Sequence, residues 1–566
     1  MTYSGIIHVR VGKSWIGILL FAFAFLLLTT TPAQAQGGVD CVAERGGVVD
    51  GFVNPVSPSQ INIDGNCTIK NFPATNPLTS NISWNGNNPT SWLVIFDNVV
   101  FTGNMSCNLQ SQGNFLWFTN GSTSGIRPNC QNLFVPVEKI DKQNPAGQAI
   151  ATIGVPFTYK LTIPVLFDPF TGTVINTSGS TNDLHDITVR DDLNATGASL
   201  SYVSHTVTWL DTGAPVPHTF SNVGGALTFN NFPTVSAGRQ FVIALTVVLN
   251  DTPANLPGTQ FINTAKWDFG RLINGVFHEP LPGEWGVTPP MTIATPPTLM
   301  VTKSGPATLN LARWGGFAID IQNTGLIDAW NVSVRDLLPH VATGGMCNST
   351  PGIKSIGIFA ADGVTPVPGK NPLNYASDWS FSYSAAPNCQ LDMTMLSAAA
   401  TIGPNQRLII RYETQLDANT QNGVALTNVA GAVQWFNGDS SIPTRKTYTG
   451  PLTNGTPGIL DNQDAHTVTS AFTGYFFDKT VANLTSGTNP TTTAAPGDKL
   501  RYTLRFRTTD QPLSNFSIFD DMDALNAQAD FAAGTLTLVT FPPGADISAT
   551  AARAAPKAPV SSTFVI

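Results

Sequence analysis

The segments LMVTKSGPATL (299–309), GGFAIDIQNTG (315–325) and NVSVRDLLP (331–339) predict the fold of this chain. In each segment polar and apolar residues alternate with a period of two, and Gly, Pro, Asn or Asp stands near the ends. This alternation is typical of short, half-buried β-strands joined by turns. The spacing of three to four residues that marks a helix is scarce in the chain, so we expect an all-β protein.

The same order of segments occurs three times. An earlier copy contains FVPVEKIDKQNP (134–145), HDITVRDDL (185–193) and QFINTAKWDF (260–269), and a later copy begins with YFFDKTVANL (475–484). Eight polar residues correspond in this alignment: Lys139, Lys303 and Lys479; Asp191, Asp336 and Asp520; Asn263 and Asn428. The Lys-to-Asn separation is 124 residues in the first copy and 125 in the second. Short strands over about 125 residues predict an immunoglobulin-like β-sandwich with Greek-key connections.

The predicted organisation is a row of domains separated by Pro-rich linkers. The segments are a signal peptide (1–35), an N-terminal Cys-containing β domain (36–133) and three sandwich repeats (134–290, 298–450 and an incomplete 470–566). Pro-rich linkers act as semi-stiff spacers, which predicts an elongated stalk that unfolds one domain at a time. For 36–133 two interpretations stay open, a short parallel β-solenoid or a small disulfide-tied sandwich. The Asn-rich turns slightly favour the solenoid.

The first residues indicate export. Arg10 and Lys13 precede an apolar run over 15–28, and the triplet Ala33-Gln34-Ala35 follows. This order is typical of a cleavable signal peptide, because 14 apolar residues fall short of the roughly 20 that span a bilayer. We therefore expect a secreted or bacterial cell-surface protein that meets a membrane only through an anchor not visible in the sequence.

The composition argues against several classes of protein. Charged residues make up 11% of the chain, the net charge is −8, and no basic block is present, so nucleic acid is an improbable partner. The segments 121–125 and 438–440 only partly match hydrolase motifs, and we predict that the chain is not an enzyme. Acidic clusters at 461–464 and 520–523 are weak candidates for calcium, and solvated turns explain them better. We expect no cofactor.

The six cysteines predict disulfides, because an even number in an exported chain favours pairing. Cys347 and Cys389 are expected to pair within the second repeat. The N-terminal domain allows three pairings, of which we choose the local one, Cys41–Cys67 with Cys107–Cys130.

Strand parity predicts that the corresponding Lys, Asp and Asn residues meet in the core. Residues two apart in a strand share a face, and each of these polar residues continues an apolar row. Burial favours the neutral forms of an amine and a carboxyl group. A neutral lysine could then attack the asparagine amide while a protonated aspartate polarises the carbonyl, which predicts an intramolecular isopeptide bond in the first two repeats. The alternative is that the lysine reaches solvent, the aspartate caps a turn and the asparagine pairs with backbone. The Asn strand of the third repeat is expected past Ile566.

The second repeat resembles the bacterial surface repeat known as domain of unknown function eleven. The Lys…Asp…Asn-x-Ala frame is also similar to fimbrial isopeptide-forming domains. The resemblance covers 134 to the end and implies secreted or envelope-attached stalks and adhesins, with the isopeptide roles on the residues above. It is weakened by Arg313-Trp314-Gly315, where a Pro-Gly-Asp turn is usual, and by the long insert in the first repeat.

Two functions follow as hypotheses. The leading one is a structural stalk or adhesin. The alternative is an extracellular binding module, in which Trp84, Trp92, Trp117 and Phe118 of 36–133 offer stacking surfaces to a glycan or another cell-surface ligand. A hydrolase of extracellular polymers is a third and more remote hypothesis, because the sequence shows no facing pair of carboxylates.

Overall fold

The computed structural model describes residues 37–566 except 85–90, 106–112, 125–129, 131–132, 170, 454, 460, 473–474, 509–516, 522–560 and 566. Within these residues the chain is built mainly of β-strands, and its helical turns include the 3-10 helices Leu193–Ala195 and Ala398–Ala400. The chain forms two compact units. The first contains the residues up to Pro296 together with 442–446, and the second contains 297–441 and the residues from 447 onward. The predicted all-β class is confirmed.

The N-terminal domain is a short parallel β-solenoid. Its strands are β1 (Val39–Asp40), β2 (Val48–Asp50), β3 (Gln60–Ile63), β4 (Cys67–Phe72), β5 (Asn81–Trp84), β6 (Leu93–Phe101), β7 (Phe115–Thr119) and β8 (Thr123–Ser124). One sheet has the order β1-β3-β5, the other has the order β2-β4-β6-β7 with β8 on β6, and every pairing is parallel. The solenoid interpretation of this region is therefore correct.

Asparagines form one corner of the solenoid. Lys70 pairs with Asp97, and Asp97 pairs with Thr119, so the residues that follow them occupy equivalent positions on successive rungs. Those residues are Asn71, Asn98 and Asn120, with φ of 61°, 56° and 60°. Asparagine tolerates this left-handed conformation better than other residues with a Cβ. Asparagine thus marks this corner on three successive rungs, within β4 and β6 and directly after β7.

Sandwich one follows the solenoid. Its strands are β9 (Val137–Gln143), β10 (Ile150–Ala151), β11 (Phe157–Asp168), β12 (Thr173–Asn176), β13 (His185–Asp192), β14 (Leu200–Trp209), β15 (Thr219–Val223), β16 (Ala226–Asn230), β17 (Phe241–Leu249), β18 (Gln260–Phe261), β19 (Thr264–Ile273), β20 (Val276–Pro282), β21 (Gly286–Val287) and β22 (Met291–Ile293). One sheet has the order β12-β11-β17-β14 with β9 on β11, and the facing sheet has the order β15-β16-β13-β19-β20 with β21 on β19. Their apolar faces form one core.

Sandwich two repeats this plan. Its strands are β23 (Leu299–Ser304), β24 (Thr308–Leu309), β25 (Trp314–Asn323), β26 (Trp330–Leu337), β27 (His340–Val341), β28 (Gly344–Gly345), β29 (Gly352–Phe359), β30 (Trp379–Ser384), β31 (Gln390–Met395), β32 (Arg407–Gln415), β33 (Ala425–Phe436), β34 (Thr447–Thr449) and β35 (Gln463–Ser470). The sheets have the orders β23-β25-β32-β29 and β24-β35-β33-β26-β31-β30. In the third repeat, β36 (Tyr475–Asn483) pairs with β37 (Leu500–Thr508), and β38 (Ser517–Asp521) pairs with β39 (Ser561–Val565).

A buried ion pair lies where the solenoid meets sandwich one. Glu138 of β9 is bonded to Arg271 of β19, and its carboxylate also accepts a 2.5 Å hydrogen bond from Ser180. The Arg271 guanidinium stacks 4.8 Å from the ring centre of Trp117, whose indole donates to Pro282 O. Burial raises the pKa of Glu138, and Arg271 opposes the shift. One inward position of β9 is therefore held by a charged residue.

The predicted disulfides are present where the structure describes both partners. Cys41 is bonded to Cys67, and Cys347 is bonded to Cys389. Cys130 is also disulfide-bonded, while its predicted partner Cys107 lies outside the described residues.

Replacement of both Cys347 and Cys389 by serine should destabilise sandwich two. Their bond closes a loop of 42 residues, and the chain-entropy model gives about 4 kcal/mol for a loop of this length. Guanidinium unfolding of the full chain measures the change. Because the variant leaves sandwich one untouched, the unfolding of that domain serves as the control. A loss below about 1 kcal/mol would show that the bond constrains little.

Candidate functional site

Lys303 is a fully buried lysine in the core of sandwich two. It lies in β23 opposite Ile319 of β25, at a position that faces inward. Its side chain has no exposed surface, and its Nζ atom is 2.5 Å from Asp336 Oδ2 and 2.7 Å from Tyr412 Oη. An ammonium group is almost never buried without a partner, because its desolvation costs several kcal/mol.

The aspartate and the asparagine come from the facing sheet. Asp336 lies in β26 and pairs with Ala430 of β33. Asn428 is two residues before Ala430, so its side chain points to the same face of the sheet as that of Ala430. Both polar side chains are fully buried. The predicted set Lys303, Asp336 and Asn428 therefore spans the two sheets of the sandwich.

Tyr412 was not foreseen from the sequence and links the lysine to the asparagine. Its hydroxyl oxygen accepts a 2.7 Å hydrogen bond from Lys303 Nζ and another of 2.7 Å from Asn428 Nδ2. Two buried oxygens have no hydrogen-bond partner among the described residues, Asp336 Oδ1 and Asn428 Oδ1. An unpaired buried acceptor costs about 1–3 kcal/mol. Both Asp336 Oδ1 and Asn428 Oδ1 are therefore acceptors that lack a donor.

Burial controls the protonation of this site. It lowers the pKa of Lys303, and the carboxylate of Asp336 opposes that shift. Burial also raises the pKa of Tyr412 well above its ordinary value, with Asp336 acting in the same direction. The tyrosine therefore stays neutral, and the lysine is closer to losing its proton than a lysine in water.

Sandwich one contains a corresponding set of lysine, aspartate and asparagine, built on Lys142. Its Nζ atom is 2.5 Å from Asp191 Oδ2, and both side chains are fully buried. Asp191 pairs with Ala265, and Asn263 is two residues before it, which is the register seen in sandwich two. Among the described residues neither the Oδ1 nor the Nδ2 atom of Asn263 has a hydrogen-bond partner. Burial lowers the pKa of Lys142, and Asp191 opposes the shift.

The prediction of Lys139 for this position was wrong. Lys139 is partly exposed and places its Nζ atom 4.8 Å from the centre of the Phe167 ring. The inward row of β9 consists of Glu138, Ile140 and Lys142. Two of these three residues are charged. A search for alternating apolar residues therefore selects the other row of β9, which contains Lys139.

A different sequence signal identifies Lys142. Pro145 follows it by three residues, as Pro306 follows Lys303, and the pair Asp141-Lys142 matches the Asp-Lys pair at 478–479. The second tyrosine is harder to find. Tyr159 pairs with Leu245 in sandwich one, whereas Phe317 pairs with Tyr412 in sandwich two. A tyrosine therefore stands at the same rung on either of two neighbouring strands, which a linear alignment does not reveal. Unlike Tyr412 Oη, Tyr159 Oη has no hydrogen-bond partner among the described residues.

The third repeat brings its lysine and aspartate together as well. Lys479 Nζ is 2.5 Å from Asp520 Oδ1 and 4.9 Å from the ring centre of Tyr502. Lys479 pairs with Leu504, so Tyr502 occupies the position of Tyr159. The lysine and aspartate side chains are 34% and 16% exposed, in contrast to the fully buried pairs of the sandwiches.

Two further predicted features have ordinary structural roles where the structure describes them. Asp464 accepts hydrogen bonds from the backbone N–H groups of Lys303 and Gly458, which occupies both carboxylate oxygens of this calcium candidate. Trp84 and Phe118 are buried in the solenoid core and Trp117 is buried in the core of sandwich one, so none of them offers an exposed stacking surface. Trp92 is partly buried against the solenoid core.

The chain is similar to domains of several bacterial proteins of known structure only at low sequence identity and low TM-score. No protein-family model matches the sequence, and no curated protein matches it. The C-terminal domain of the Streptococcus pyogenes antigen I/II-family protein AspA is 11% identical, with 59% of this chain and 99% of that chain covered and a TM-score of 0.26. BcpA, the major pilin subunit of Bacillus cereus, is 10% identical, with 62% and 73% covered and a TM-score of 0.20.

A third similar structure is ACE19, the collagen-binding subdomain of the Enterococcus faecalis surface protein ACE. It is 13% identical, with 27% of this chain and 95% of that chain covered and a TM-score of 0.17. Likeness at this level carries no argument about function, which has to come from the chain's own residues. The part of the chain that the structure describes contains no helix both long and apolar enough to cross a membrane. The predicted signal peptide, 1–35, lies outside that part.

Proposed function

We propose that this chain is an exported structural protein of the cell surface, a stalk in which sandwich one and sandwich two are each closed by an intramolecular Lys–Asn isopeptide bond. The observation that carries the proposal is the same buried Lys, Asp and Asn set at the same strand register in two sandwiches. In this role the protein bears load and turns over no external substrate.

The energetics support a chemical role for the buried set. A buried ion pair is often no better for stability than a well-packed apolar pair of the same volume. Retaining lysine and aspartate in two cores, with orphan oxygens beside them, brings little gain in stability. The set is explained if the lysine and asparagine react and leave a neutral amide that spans the sheets.

The reaction uses only side chains that line the buried site. One proton first passes from Lys303 Nζ to Asp336 across their 2.5 Å contact, which gives a neutral amine and a protonated acid. The neutral Nζ then attacks Cγ of Asn428, while Asp336 donates to Asn428 Oδ1, a buried acceptor that lacks a donor. A new C–N bond forms, the Cγ–Nδ2 bond breaks, and Asp336 passes the proton lost by Nζ to Nδ2, which leaves as ammonia. Tyr412 holds both nitrogen atoms 2.7 Å from its oxygen before the attack. In sandwich one Lys142, Asp191 and Asn263 have the same roles.

Intact-mass measurement tests the bonds directly. A chain expressed without residues 1–35 and fully reduced should be lighter than its sequence by two ammonia molecules. Lys142→Ala should abolish one of these losses and Asn428→Ala the other. Peptide mapping should recover a branched peptide that joins β23 to β33.

Lys139→Ala is the matched control, because Lys139 lies three residues from Lys142 in the same strand. This variant should keep both ammonia losses. A wild-type mass equal to that of the sequence would overturn the proposal and leave two buried ion pairs. A loss that disappears in Lys139→Ala but persists in Lys142→Ala would reassign the first bond.

A ligand for 36–133, whether an extracellular protein or a glycan, stays a prediction. The burial of Trp84, Trp117 and Phe118 removes most of the stacking surface on which that hypothesis depended. We therefore propose the load-bearing function ahead of a binding function for this region.

A further inference from the structure

A pair of histidines lies across one edge of sandwich one. His205 belongs to β14, the edge strand of one sheet, and His218 immediately precedes β15, the edge strand of the facing sheet. Their Nε2 atoms are 3.1 Å apart, and both side chains are partly buried. Nothing in the proposed isopeptide chemistry uses these residues.

The outer nitrogen of each ring is held by a separate partner. His218 Nδ1 is 2.9 Å from the carbonyl oxygen of Val216, which only accepts, so Nδ1 carries the hydrogen and Nε2 has a free lone pair when the ring is neutral. His205 Nδ1 is 2.7 Å from Tyr202 Oη. Because a hydroxyl group both donates and accepts, it allows His205 to present a lone pair at Nε2 as well.

At this distance one neutral ring can donate its Nε2–H to the other, whereas two rings that both present lone pairs can hold a cation between them. Imidazole nitrogens bind late first-row metal ions at about 2.0–2.1 Å, so two of them on one ion lie roughly 2.9–3.4 Å apart for angles between about 90° and 109°. Partners on the outer nitrogens are also typical of metal-binding histidines, since they fix the tautomer and the ring orientation.

The surroundings hold the rings in place and leave room for solvent ligands. The His205 ring centre is 4.3 Å from that of Phe220 and 5.0 Å from that of Phe229, and His218 stacks on Phe232 at 5.7 Å. Since both histidines are only partly buried, water can complete the coordination of an ion.

We propose that His205 and His218 bind one late first-row divalent transition-metal ion, such as Cu²⁺, Ni²⁺ or Zn²⁺, through their Nε2 atoms. The ion joins the edge strands of the two sheets and closes sandwich one at a point separate from the Lys142 site. The inference does not depend on the isopeptide bonds.

Copper titration of the full chain tests this site. After removal of metal with a chelator, CuCl₂ should bind at one equivalent, with electron paramagnetic resonance splitting from two nitrogens. His205→Phe keeps an aromatic ring in place and removes the ligand, and it should weaken binding on the order of 100-fold, as expected for the loss of one arm of a two-armed chelate. His218→Ala should have the same effect.

His278→Ala is the control, because His278 lies on β20 in the same sandwich, a strand at the other edge of its sheet. This variant should bind copper like the wild type. With Zn²⁺ at 100 times its Kd, the Tm of sandwich one should rise by roughly 5–10 °C in the wild type and not in His205→Phe. Absence of binding, or binding that survives His205→Phe, would overturn the proposal and leave a His–His hydrogen bond.

Discussion

Sandwich two, when pulled from its ends, should release about 400–450 Å less chain than its length allows. A bond between Lys303 and Asn428 encloses the 124 residues 304–427 in a covalent loop that force cannot extend. An extended chain spans about 3.3–3.6 Å per residue, and the missing length follows from that figure. Sandwich one should behave in the same way over the 120 residues between Lys142 and Asn263.

Single-molecule force spectroscopy of the full chain measures this directly, with the disulfides reduced because the Cys347–Cys389 bond would otherwise keep part of the same loop closed. In the wild type the force passes from β23 through the new amide to β33, and the strands between them stay folded. Asn428→Ala opens the loop and should restore the missing length in one additional event. Each domain should otherwise unfold in its own event, because each sandwich buries its own core.

Lys139→Ala serves as the control for sandwich one, since it changes β9 without touching the buried set. It should leave the released length unchanged, whereas Lys142→Ala should lengthen it. Equal released lengths for the wild type and Asn428→Ala would contradict the cross-link and would also remove the mechanical basis of the proposed stalk.

The sequence was sufficient for the strands because their alternation is a local property. Period-two patterning and the repeated order of segments identify the all-β class, and asparagines mark one corner of the solenoid. Local spacing also indicated the Cys347–Cys389 bond, which closes a loop of 42 residues within one domain. In each case the prediction depends on residues that are close in sequence or on the number of cysteines in one domain.

The site could be predicted only in part, because its geometry depends on pairing between distant strands. Asp336 and Asn428 were identified because both continue apolar rows. The choice of Lys139 failed because Glu138 occupies an inward position, and its burial depends on Arg271, 133 residues away. The tyrosines were missed because either of two paired strands supplies the hydroxyl, which no single strand encodes.

Asp336→Ala should destabilise sandwich two by about 5 kcal/mol or more. The variant removes the acid that the bond formation needs, so the 124-residue loop stays open, and closing a loop of about 100 residues is worth nearly 5 kcal/mol in the chain-entropy model. It also leaves Lys303 buried without its carboxylate partner, and breaking a buried pair costs about 3–5 kcal/mol. The two effects overlap because both involve Lys303, so we expect less than their sum.

Guanidinium unfolding of the full chain, with sandwich one as the internal reference, measures this loss. Asp392→Ala is the matched control, because Asp392 forms the half-exposed pair with Arg335 on strands of the same sheet. An exposed pair contributes about 0–1 kcal/mol, so this variant should unfold almost like the wild type. A domain has about 5–15 kcal/mol of stability in total, and Asp336→Ala therefore brings sandwich two close to unfolding. A loss for Asp336→Ala no larger than that for Asp392→Ala would mean that the buried aspartate neither supports Lys303 nor assists a bond.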